Sequence, residues 1–75
     1  MASNKKWFTK FIAGNPNIFS QVRTDPDSPM LRSRALESVT VIENNGWRGW
    51  VEDAEGRRIY ETEVEKQFSQ IRHDL

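Results

Sequence analysis

The chain has 75 residues, eleven Lys and Arg against eleven Asp and Glu, 36% hydrophobic and 29% charged residues, and no cysteine. A chain of this length has room for one core and buries only roughly 60% of the surface it would expose unfolded, so a partner or a second copy would add stability to a small margin. The balanced charge removes the broad attraction typical of nonspecific nucleic-acid binders, and the missing cysteines exclude a disulfide framework or a thiolate metal site.

No apolar run approaches the roughly 20 residues that span a bilayer, and the start lacks the apolar region of a secretory signal. A mature, cytoplasmic, single-domain protein spanning 1–75 is expected. In "SNKKWFTKFIAG", Trp7, Phe8, Phe11 and Ile12 recur at i, i+1, i+4 and i+5, with Ser3 or Asn4 before them and Gly14 after. This spacing predicts a short N-terminal amphipathic helix. Lys5, Lys6 and Lys10 fall on the rest of its circumference, which also fits a helix lying on an anionic membrane, but one apolar stripe in so small a domain is more often core.

In "NPNIFSQVRTDPDSP", Ile18, Phe19 and Val22 suit either a helical turn after Asn15-Pro16 or an edge strand, and periodicity leaves both open. Residues 24–29 hold two prolines, two aspartates and a serine, which reads as a flexible loop by turn chemistry. "MLRSRALES" is equally double-valued, since Ser28 and Pro29 resemble the entry to a helix while the segment runs on into β-branched residues.

From Leu36, "ESVTVIENNGWRGWVEDAEGRRIYETE" contains three β-favouring runs separated by "NNG" and "DAEG", the pattern of a three-stranded antiparallel meander. Asp53 opening a turn and Gly56 in a left-handed position predict a three-residue loop with a G1 bulge. Val51 is then opposite Ile59, Trp50 opposite Tyr60 and Glu52 opposite Arg58. A three-residue reading of "NNG" sets Val39 opposite Val51 and Val41 opposite Gly49. One face gathers Val39, Val41, Trp47, Val51 and Ile59, and the other Thr40, Ile42, Arg48, Trp50, Arg58 and Tyr60. Trp47 and Trp50, three residues apart, cannot share a side of the sheet.

"TEVEKQFSQIRHDL" predicts a C-terminal helix opened by a capping box of Thr62 and Glu65, with Val64, Phe68, Ile71 and Leu75 forming the stripe that covers the valine face. The expected fold is therefore α+β: a three-stranded antiparallel β-meander packed against a C-terminal amphipathic helix, with a short N-terminal helix nearby.

Trp50 admits three accounts. The N-terminal helix could cover it, packing Trp7, Phe8, Phe11 and Ile12 on Ile42, Trp50 and Tyr60. Alternatively, Trp50 and Tyr60, framed by Arg48 and Arg58, form an exposed aromatic face of the composition that anchors protein interfaces. The same face could stack unpaired bases of RNA or single-stranded DNA, though Glu43, Glu52 and Glu61 dilute its field. The "GW" at 46 and 47 followed by "GRRIY" at 56–60 resembles the first hairpin of a WW domain. The resemblance covers about a fifth of the chain, and the family's second tryptophan and its proline are missing after Tyr60, so it implies a hairpin and no proline-ligand groove.

Catalytic constellations are lacking. His73 is the only histidine and falls in the last turn of a predicted helix, where a cation is favourable. The serines at 20, 28, 33, 38 and 69 have no nucleophile-elbow context. Glu61, Glu63 and Glu65 read as a solvated face plus helix N-terminal electrostatics rather than a metal site. The expectation is a non-enzymatic adaptor, inhibitor or accessory subunit, without cofactor or metal, that docks on a larger protein through Trp50, Tyr60, Arg48 and Arg58, or self-associates. Binding of RNA or single-stranded DNA through the same face is the alternative.

Overall fold

The computed structural model describes residues 4–13 and 21–73, the last five of these as helical backbone only. A four-stranded antiparallel sheet has the order β2-β1-β3-β4, with β1 at Phe8–Ile12, β2 at Arg23–Thr24, β3 at Arg48–Glu52 and β4 at Arg58–Glu61. Helix α1, Arg32–Asn44, lies on one face of it, and helix α2, Glu63–His73, on the other. The α+β class stands, while the sheet has four strands rather than three, and its members are not those the alternation suggested.

Two segments change identity. The N-terminal run expected as a helix is strand β1, paired with β3 from Phe8↔Glu52 to Ile12↔Arg48. Its buried residues, Thr9 and Ile12, sit on opposite faces because both sides of the strand are covered. Residues 36–43, expected as the first strand of a meander, belong to α1. Val39 and Val41 fit a period of two, yet Ala35, Val39 and Ile42 fit i, i+4 and i+7, and those three are the buried ones. Val41 is 61% exposed. The Val39↔Val51 and Val41↔Gly49 strand pairs therefore do not exist, although Val39 and Val51 meet as helix against sheet.

"NNG" is a helix end rather than a hairpin turn. Gly46 has φ +74; its N–H donates to the Glu43 carbonyl, and the Trp47 N–H donates to the Ile42 carbonyl. This is a Schellman cap, which draws on the same Asn-Gly preference as a tight turn. Ser28 and Pro29 precede α1 without entering it, and its cap residue is Leu31.

The core on the α1 side contains Met30, Ala35, Val39 and Val51, with Trp7, Leu36 and Tyr60 packed around it. Thr9 is fully buried there and donates its hydroxyl to the Ala35 carbonyl, which removes the cost of its polar atom. Gly49 lets α1 approach: a Cβ at this position would lie 2.8 Å from Ile42 Cγ2. Trp47 stacks on Phe11 on the same side, ring centroids 6.3 Å apart.

Along the far side of β1, Trp7 and Met30 exchange backbone hydrogen bonds and Asp25 N–H donates to the Thr9 carbonyl, so residues 23–30 cover that edge. Within 24–29 the expected turn is present, Ser28 N–H donating to the Asp25 carbonyl. Residues 14–20, including Pro16, Ile18 and Phe19, lie outside the described residues, as do Leu75 and the side chain of Ile71.

Candidate functional site

The hairpin of β3 and β4 carries all four residues expected at an interface. Its loop is as predicted: Asp53 N–H donates to the Arg57 carbonyl, Gly56 has φ +83, and Glu52 is opposite Arg58. One residue later the register shifts. Val51 pairs with Tyr60 and Trp50 with Glu61, so Ile59 is the additional residue of a β-bulge. The predicted pairs Val51–Ile59 and Trp50–Tyr60 are corrected accordingly.

A one-residue shift exchanges faces. Tyr60 follows Val51 to the α1 side, where its hydroxyl donates to Glu43 Oε1 at 2.6 Å. Trp50 points to the α2 side with Arg48 and Arg58. The two rings expected as a pair lie on opposite sides of the sheet, and Trp50 is only 5% exposed. Nor does an N-terminal helix bury it. The Arg58 guanidinium lies over the indole at 3.9 Å from the ring centroid, and Trp50 Nε1 donates to Glu52 Oε2 at 3.1 Å.

The arginines are occupied as well. Glu65, 2% exposed, receives Arg48 Nε at 2.6 Å on one oxygen and Arg58 Nη1 at 2.9 Å on the other. Arg48 also covers the Phe68 ring at 4.4 Å, and Arg58 pairs with Glu61 at 2.7 Å. A carboxylate buried this deeply is tolerable because two guanidinium groups satisfy both its oxygens. The cluster fastens α2 to the sheet on the Trp50 side. Helix α2 thus does not cover the valine face, which belongs to α1.

Thr62 explains how α2 begins. Its side chain is fully buried; Oγ1 accepts from Glu65 N–H at 3.3 Å and Gly49 N–H at 3.1 Å, and donates to the Trp47 carbonyl. Half of the expected capping box is therefore formed. The other half is absent, since the Glu65 carboxylate turns to the arginines and Thr62 N–H donates to the Gly49 carbonyl. Glu43 takes over as a second anion at this helix start, its Oε2 accepting Glu63 N–H at 3.0 Å. That carboxylate also raises the Tyr60 pKa above 10.0, chiefly by accepting the phenol hydrogen bond, with burial adding to the effect.

Sequence reasoning missed Glu43 because it placed residue 43 on a strand, and missed the role of Glu65 because position N3 of a helix already accounts for a glutamate. The signal available was Arg48 and Arg58 on the strand face of Trp50, two cations in need of an anion, with Glu65 one turn into the helix that follows. Among the described residues, no group of three or more His, Cys, Asp or Glu is arranged to hold a metal ion, and no helix is long and apolar enough to cross a membrane. Compared with protein families, curated proteins and solved structures, the chain matches none.

Among the described residues, the outer edge of the hairpin is left open. β4 ends the sheet, Ile59 on its bulge is 38% exposed, and a shallow groove beside it is lined by Arg58, Ile59, Tyr60, Glu61 and Lys66. An unpaired strand edge presents backbone donors and acceptors that another chain can meet.

Proposed function

We propose that the protein is a non-enzymatic protein-binding module, of the adaptor or accessory-subunit kind, that docks by adding a strand of another chain to the open edge of β4. The observation supporting this is the position of β4: it is terminal in the sheet order and carries an exposed isoleucine between half-exposed Arg58 and Glu61. Strand addition draws affinity from main-chain hydrogen bonds and specificity from alternate side chains. Arg58 and Tyr60 keep a place in this surface. Trp50 and Arg48 support it from beneath, by holding β4 and α2 in position.

Base stacking has no comparable support, because the Trp50 ring it requires is covered by Arg58. A photo-crosslinking amino acid at position 59 tests the docking reading in cells that produce the protein. Irradiation should join it to another polypeptide, with far less product from the same group at exposed position 41. Equal yields at both positions, or none at 59, would contradict it.

A further inference from the structure

Resting on that reading, we propose that the strand added to β4 is β4 of a second copy of this chain, paired antiparallel about a two-fold axis with Arg58 of each copy opposite Glu61 of the other. The register of the hairpin supplies the argument. Thr62 N–H donates to the Gly49 carbonyl and Asp53 N–H to the Arg57 carbonyl. Alternation from these two rungs directs the Tyr60 backbone groups to β3. The bulge adds Ile59 to the same inward rung. The backbone groups of Arg58 and Glu61 then face outward.

Because Arg58 and Glu61 lie opposite Glu52 and Trp50, they are two rungs apart although they stand three positions apart in sequence. A ladder uses alternate rungs on each side, so these two outward residues have the spacing that a second antiparallel strand needs. Pairing each with the other's counterpart satisfies both at once. Such an interface is isologous, and two-fold symmetry requires that kind of self-complementarity.

The side chains fit the same operation. Arg58 and Glu61 both belong to the Trp50 face and already form an ion pair within one chain. The two-fold would set two such pairs side by side with alternating sign, while Ile59 of each copy meets Tyr60 of the other. Helices α1 and α2 keep to their own faces, and the sheet continues through eight strands.

The test uses the whole chain. Sedimentation velocity from about 10 μM to about 1 mM, a range that covers weak association, should show a monomer converting to a dimer. Amide exchange by NMR over the same range should slow at Arg58 and Glu61 and remain unchanged at Val41. Glu61→Lys, which sets like charges opposite one another on both rungs, should weaken association at least about tenfold with the circular dichroism spectrum retained. The exchange measurement needs no variant and decides the matter if Glu61→Lys fails to fold. A wild-type monomer throughout would overturn self-pairing and leave docking of a different chain to the crosslinking test. A dimer that protects other amides, indifferent to Glu61→Lys, would overturn both self-pairing and the edge as the docking element.

Discussion

Replacing Glu65 by leucine should be the most damaging single change outside the α1 core. The carboxylate is 3% exposed and Arg48, its partner at 2.6 Å, is 13% exposed, so removing the anion leaves a guanidinium largely shut away from water against the Phe68 ring. Breaking a buried pair in this way costs about 3–5 kcal/mol. Arg58 adds little to the loss, being 38% exposed and still paired with Glu61. We therefore expect about 3 kcal/mol for Glu65→Leu, against a total stability of about 4–11 kcal/mol for a domain of this size. Urea unfolding followed by tryptophan fluorescence would measure it. The double variant Arg48→Met with Glu65→Leu should regain much of the loss, because an apolar pair can replace a buried ion pair at little cost. A loss below about 1 kcal/mol for Glu65→Leu, or strict additivity of the two changes, would refute the reasoning.

Three further outcomes follow from the geometry. Tyr60 is the only tyrosine, so tyrosinate absorbance reads it alone; its midpoint should lie above 10.0 because Glu43 accepts the hydrogen bond of the protonated phenol. As the folded value is the higher one, the stability it contributes is complete below pH 10 and falls as pH rises through the folded value. Tyr60→Phe should remove this alkaline loss, and a midpoint at or below 10.0 would count against the Glu43 contact. Gly49→Ala should cost about 1–3 kcal/mol in thermal unfolding, since its Cβ would press on Ile42 at 2.8 Å and on the Lys10 carbonyl at 3.2 Å. Val39→Ala should cost about 2 kcal/mol and Val41→Ser less than about 0.5 kcal/mol, the asymmetry of a helix; similar costs would favour the strand that α1 replaces.

Much of the hairpin and α2 was legible in the residues, because Gly56 has few alternatives in its turn and Thr62 is a strong cap. The Glu52–Arg58 pair and the separation of Trp47 from Trp50 follow from the same local chemistry. The remainder was ambiguous for identifiable reasons. Val39-Thr40-Val41-Ile42 satisfies a two-residue and a 3.6-residue period over so few positions that only the packing partner decides between them. Asn45-Gly46 serves a Schellman cap as well as a hairpin. β1 contains aromatic and apolar residues on both faces, so its pattern imitates a helix. The bulge at Ile59 has no residue signature, and one inserted position was enough to move Tyr60 across the sheet and divide the expected aromatic face.

The bulge is also the feature on which the edge surface depends, and hydrogen exchange at single amides reads it most directly. At concentrations low enough for monomer, the Tyr60 amide should exchange slowly and the Glu61 amide rapidly, as a bulged β4 requires. The unbulged hairpin, with Val51 opposite Ile59, inverts that order: a protected Glu61 amide beside a freely exchanging Tyr60 amide would contradict the account.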